Sequence, residues 1–126
     1  MLENLVNVIY KREYKVEEDK TARIVKSGGL DVLATPEIIR LVENITFEEL
    51  EKHLEKEYTT VGGYIDINHL RPTGVNKKFE ISVTINSISD KKIEFAFEAH
   101  DETQLIATGK HIRYIVDKEK FLKRVN

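Results

Sequence analysis

The feature that most constrains this chain is a single long helical pattern whose apolar residues occupy most of its circumference. It begins at Thr35-Pro36, with Thr35 read as the N-cap and Pro36 at the first helical position, a strong start signal. At about 100° per residue, Glu37, Arg40, Asn44, Glu48, Glu51 and Glu55 gather on one polar arc. Ile38, Ile39, Leu41, Val42, Ile45, Phe47, Leu50 and Leu54 fill most of the remainder. A helix this widely apolar is wrapped by other structure rather than laid on a surface. Thr46-x-x-Glu49 has the form of a capping box, so the pattern predicts a kink or restart there.

Strands supply the wrapping. Ile65, Ile67 and His69 share one face of a strand predicted over 59–70 and ended by Pro72-Thr73-Gly74. Phe79, Ile81, Val83 and Ile85 alternate with polar residues in the next, and a turn at Ser89-Asp90 leads to Ile93, Phe95, Phe97 and Ala99. Asp101-Glu102 turns into a last long strand over 105–116. Before the helix, 10–16 and 21–26 read as two short strand pieces with a bend at Asp19-Lys20. Residues 2–9 have helical spacing but are short, and Ser27-Gly28-Gly29 is a flexible connection. Short strands, one long helix, then four antiparallel strands give an α+β chain: an antiparallel sheet curled around a central helix.

Composition removes whole classes of function. The 126 residues suit one domain, 1–126, with 1–10 as an N-terminal extension and 118–126 as a basic tail. No apolar run approaches the roughly 20 residues of a membrane span, and the N-terminus lacks a secretory signal pattern. The sequence contains no cysteine, which excludes disulfides, thiol nucleophiles and cysteine–zinc sites. A balance of 20 basic against 22 acidic residues leaves no electrostatic footprint for nucleic acid. The expectation is a cytoplasmic protein.

Three polar residues break apolar patterns. Glu43 falls outside the helix's polar arc, with Ile39 and Phe47 one turn to either side. Periodicity leaves it either at a rim, reaching water, or as a carboxylate set into the apolar face at a cost of several kcal/mol unless partnered. His69 ends an apolar strand face, where a histidine is either structural or chemical. Thr35 is accounted for by capping alone. Gly62-Gly63 within a strand marks a bulge or a close backbone approach. His53, His100 and His111 have no distinguishing context, and no histidine pair has metal-ligand spacing. There is neither a Gly-x-Ser-x-Gly elbow nor a phosphate loop.

The order Ala-Thr-Pro–helix–Glu, Thr-Val-Gly-Gly, Asn-His-Leu-Arg-Pro-Thr, Glu-Ala-His-Asp-Glu and Gly-Lys-His-Ile-Arg resembles the hotdog-fold thioesterase superfamily. Within it, the chain resembles the fluoroacetyl-CoA thioesterase group, from about residue 20 to 117. The resemblance implies a Thr/Glu/His triad at Thr35, Glu43 and His69, with the Gly62 N–H near the acyl group beside Gly63. It implies an acyl-CoA substrate, CoA entering only as part of that substrate, no other cofactor, and a homodimer. The loop that carries selective phenylalanines in the fluoroacetyl-specific enzyme is Ser27-Gly28-Gly29-Leu30 here, without an aromatic. The expected function is hydrolysis of ordinary short-chain acyl-CoAs. A non-catalytic acyl-CoA binding or sensing module is the alternative, and the Asp/His pattern usual in hotdog hydratases is missing.

Overall fold

Alternation in the second half of the chain is realised as four strands: β2 (Tyr58–His69), β3 (Lys78–Ser89), β4 (Lys92–His100) and β5 (Leu105–Asp117). With β1 (Ile9–Lys15) they form one antiparallel sheet in the order β1-β3-β4-β5-β2. The computed structural model describes residues 2–126. Asp90, with φ 57°, closes the β3–β4 turn in the left-handed region that aspartate tolerates.

The long helix, α2 (Thr35–Glu51), crosses the concave face and buries Ile38, Leu41, Val42, Ile45, Thr46 and Leu50. Against them stand Phe79, Ile81, Val83 and Ile85 of β3 with Ile93, Phe95, Phe97 and Ala99 of β4, all in the same core cluster. A fully buried aliphatic or aromatic side chain stabilises by about 1.5–3 kcal/mol, so this layer dominates the fold. The period-2 pattern of β3 and β4 and the broad apolar sector of α2 are two halves of one interface. No helix among the described residues is long and apolar enough to cross a membrane.

Several local expectations are corrected. Residues 21–26 are not a strand: α1 (Ala22–Val25) forms there, and Thr21 Oγ1 accepts the Ile24 N–H at 3.4 Å. A cap bond outweighs β-branched propensity where no strand edge is available; a lone bridge from Thr21 to Leu33 is all that remains of pairing. Nor does α2 restart at Thr46. Its buried hydroxyl donates to the Glu43 carbonyl at 3.1 Å, a local back-bond within one unbroken helix. The N-cap is Ala34, extended at φ −73° and ψ 136°, and Thr35 is already helical. His53 lies beyond the end of α2, in the turn that follows.

The N-terminal stretch is less an extension than a plug. A single turn of tight helix at Glu3–Leu5 places Leu2 and Leu5 in the core, while Met1 lies outside the described residues. At the other end the basic tail opens with a short helix, α3 (Lys118–Lys123), whose N-cap Asp117 accepts the Lys120 N–H at 3.1 Å.

Candidate active site

With Ala34 in the cap position, the Thr35 hydroxyl is free of the helix backbone. It meets Nδ1 of His69 at 2.7 Å. Strand β2 delivers that histidine as its last residue, on the face turned towards α2, before Pro72 ends the run. The other ring nitrogen, Nε2, is buried and has no hydrogen-bond partner among the described residues. Burial pushes the imidazole below the ordinary histidine range, and a nearby Arg71 backbone group pulls weakly the other way. Burial thus favours the uncharged ring. An open cavity of about 250 Å³ lies beside the pair, walled in part by Ala22, Ser27, Val32 and Leu70.

Glu43 sits two turns along α2, half-buried, and its side chain faces β2. A carbon at the Cβ position of Gly62 would lie 3.0 Å from Glu43 Oε2, 3.3 Å from His111 Cε1 and 3.5 Å from Arg113 Nη1. A glycine is thus what lets the carboxylate approach the strand. The carboxylate itself has no hydrogen bond or ion pair among the described residues.

Around it stands a polar network that β5 inserts into the core. His111 is fully buried, and its Nδ1–H donates to the Tyr64 carbonyl at 2.8 Å. That bond fixes the tautomer, leaving Nε2 to accept the Arg113 Nη1–H at 3.2 Å. Arg113, 6% exposed, also donates from Nε to Thr60 Oγ1 at 2.8 Å and from Nη2 to the Thr60 carbonyl at 3.0 Å. The Phe95 ring stacks on His111 with centroids 5.8 Å apart. Burial lowers the His111 pKa most, and Arg113 lowers it further; the Tyr64 carbonyl and Glu43 oppose them. Burial also pulls the Arg113 pKa down, against Glu43 and Glu51. Burying an ion costs several kcal/mol before its partners are counted. A core built for stability alone would place apolar side chains at 111 and 113.

The network is aligned by a bulge. Pairing of β2 with β5 passes from Gly62↔Arg113 to Tyr64↔Ile112, leaving Gly63 as the extra residue. A Cβ on Gly63 would meet the Tyr114 ring at 2.5 Å.

The structure therefore gathers the five sequence candidates into two pairs, Thr35 with His69 and Glu43 with Gly62, and Gly63 makes the bulge. It does not join the pairs within one chain: Glu43 is eight residue steps along the helix from Thr35, a rise of about 12 Å. Sequence reasoning missed Thr60, His111 and Arg113. The signal was available, because the alternation that turns Ala107 inward turns 111 and 113 inward too. Among the described residues no group of three or more metal-ligating side chains exists.

Solved structures identify the architecture. A crystal structure of a fluoroacetyl-CoA thioesterase superposes with TM-score 0.88 at 22% identity, covering 95% of this chain and 93% of that one. The hot-dog-like protein from Thermanaerovibrio acidaminovorans superposes with TM-score 0.90 at 21% identity, covering 98% and 93%. The fold is accordingly a hotdog, an α+β sheet around one helix. Among curated proteins, the fluoroacetyl-CoA thioesterase of Streptantibioticus cattleyicolor is 24% identical over 95 residues, 75% of this chain and 68% of that protein. The sequence profile of the fluoroacetyl-CoA-specific thioesterase family matches residues 16–119. The chain belongs to that family, and its activity is hydrolysis of acyl-CoA thioesters.

Proposed function

We propose that this chain, as one domain, hydrolyses short-chain acyl-CoA thioesters to the free acid and CoA, with Thr35, Glu43 and His69 as the reacting set. The observation that carries the reading is the 2.7 Å Thr35–His69 bond, which leaves His69 Nε2 unpartnered beside the cavity. A thiol leaving group has a pKa near that of cysteine, about 8.5, so it needs little acid assistance. The demand is for a nucleophile and for donors to the carbonyl oxygen as it becomes an oxyanion.

The chemistry balances with water and thioester alone, so it calls for no cofactor beyond the substrate's own CoA. Water attacks the carbonyl carbon and gives up a proton; the C–S bond breaks, and the thiolate leaves and is protonated. When Thr35 O–H donates to Nδ1, Nε2 carries the proton that the thiolate takes. When Nδ1–H donates to Thr35, Nε2 is the base. Glu43 serves either as base for the water or as nucleophile, forming a mixed anhydride that water then cleaves. The Gly62 N–H is the oxyanion donor in this reading, and Gly63 shapes its strand. Hydrolysis in ¹⁸O-water under single turnover identifies an anhydride that water opens at the Glu43 carbonyl, the one route that places ¹⁸O in Glu43.

The same geometry supports a homodimer. The outer edge of β2 is unpaired among the described residues, and open edges invite pairing. Antiparallel pairing of two copies there runs the His69 end of one strand past the Gly62 half of the other. Each active site would then combine Thr35 and His69 of one protomer with Glu43 and Gly62 of its partner. The acyl entrance is bordered by Ser27, and Leu30 of the same loop is 70% exposed, so no aromatic lid narrows it. That supports ordinary short acyl groups over fluoroacetyl selectivity, and we place the reaction in the cytoplasm.

The test is release of free CoA from acetyl-, propionyl-, butyryl- and fluoroacetyl-CoA. Turnover of the ordinary short chains within the same order as fluoroacetyl-CoA is expected. Tight CoA-ester binding without release would make the chain a binding module. Selectivity for fluoroacetyl-CoA by orders of magnitude would overturn the reading of the loop.

A further inference from the structure

The buried arginine beside Glu43 presents a physical problem. A guanidinium and a carboxylate in a half-buried setting normally close into a short, often bidentate ion pair. Here both groups lie within 3.5 Å of one point, the Cβ position of Gly62, and yet no ion pair joins them. Three of the five Arg113 N–H groups, one on each nitrogen, anchor it elsewhere: Nε to the Thr60 hydroxyl, Nη2 to the Thr60 carbonyl, Nη1 to His111 Nε2.

We propose that His111 and Thr60 are positioning residues that hold Arg113 beside Glu43 while withholding it from an ion pair with that carboxylate. The inference rests on the reading of Glu43 as base or nucleophile. A carboxylate clamped by a guanidinium has its lone pairs occupied and is a poor nucleophile. A carboxylate near a cation that bonds elsewhere keeps its charge without giving up those lone pairs. His111 performs the withholding because its Nδ1–H is committed to Tyr64, which obliges Nε2 to accept from Arg113. The same bond ties the histidine to the strand bulge that opens the space in front of Gly62.

The charged groups facing this network come from few directions. Glu43 and Glu51 approach from α2; His111 and Arg113 stand on β5. From β2 the contacts are Thr60 and the Tyr64 carbonyl, both uncharged, and β4 contributes the Phe95 ring. Protonating His111 would remove the acceptor that restrains Nη1 and add a cation beside it. The restraint therefore operates only while His111 is neutral.

The test reads Glu43 directly, by ¹³C NMR titration of glutamate carboxyls in the full-length protein, its signal assigned by loss in Glu43→Gln. His111→Phe keeps a ring against Phe95 and removes both hydrogen bonds. Freed, Arg113 should close on Glu43, moving that carboxyl's midpoint down by about one unit or more, the scale of a direct opposite charge. In the same variant kcat should fall at least about tenfold with KM little changed, as expected when a reacting group is impaired but binding is not. His111→Gln, whose amide can donate and accept, should restore most of both. Should His111→Phe fail to fold, Thr60→Val frees Nε alone and should shift the midpoint in the same direction by less. An unchanged Glu43 midpoint in a folded variant of either kind overturns the proposal. No turnover in the parent protein, with the midpoint shifts intact, would instead sink the hydrolytic reading and leave the restraint standing.

Discussion

Thr35 pairs its hydroxyl with His69 and leaves the helix end to an alanine, so its proposed role can be tested apart from stability at one residue. Removing a capping threonine costs about 1 kcal/mol; Thr35 caps nothing. Thr35→Val should therefore lose most turnover while its urea midpoint stays near that of the parent, and Thr35→Ser should keep much of the activity. A large stability loss in Thr35→Val would return the residue to a structural role. Glu43→Gln should lower turnover by at least about 10²-fold, the low end for loss of a general acid–base group. The fold should persist, because the carboxylate makes no bond that the amide would break. Acid should destabilise the protein through the buried His111 and half-buried His69 imidazoles. Both His69 and His111 have lowered pKa values in the folded state, so the unfolded chain takes up protons first as pH falls. Stability is then fully present above about 6.5, the unfolded histidine value, and is lost as pH drops towards the lowered folded values. Comparing urea midpoints at pH 7.5 and 5.5 should show the drop, and His111→Gln should make it smaller. A midpoint flat across that range would contradict the lowered pKa of the two rings.

Elements differ in how plainly the sequence announces them. The strands β3 and β4 and the body of α2 were legible because burial on one face imposes a period that composition cannot hide. The 21–26 segment was not, since its helix depends on Thr21 finding the Ile24 N–H, a contact that propensity does not encode. Thr35 misled for a related reason: threonine before proline announces a helix start, and only the partner strand shows that its hydroxyl is used elsewhere. Glu43 and His69 were legible as exceptions to apolar patterns. Arg113 was an equal exception on β5, where the alternation that turns Ala107 and His111 inward turns it inward too, since the bulge lies on β2. The bulge also yields a prediction at its own scale. Gly62→Ala places a methyl 3.0 Å from Glu43 Oε2 and 3.3 Å from the buried His111 ring, so it should fold but lose turnover as the carboxylate is displaced. Gly63→Ala meets only the Tyr114 ring, which is 40% exposed and can swing aside, so its activity should survive. Equal losses in the two variants would mean that the bulge, not the space in front of Gly62, is what matters.

For the molecule as a whole, the separation of the two residue pairs is the fact that any mechanism must meet. About 12 Å of helix lies between Thr35 and Glu43, while a β2 edge unpaired among the described residues offers a way for a second copy to close the gap. If each site takes Thr35 and His69 from one protomer and Glu43 from its partner, two dead variants can rescue each other. In a mixed dimer of Glu43→Gln with His69→Ala, one site inherits both defects and the other inherits none. Each mixed dimer then has one intact site of two, so the isolated mixed species should recover about half of the parental kcat. A site confined to one chain predicts no recovery, because every protomer carries a defect. The experiment requires the two variants to be co-expressed with different tags, the doubly tagged dimer isolated, and its kcat compared with either variant alone. Light scattering on the same preparation checks the dimer mass. A monomer at micromolar concentration would remove the shared site, and a dimer without recovery would place Glu43, Thr35 and His69 around one long substrate within a single chain.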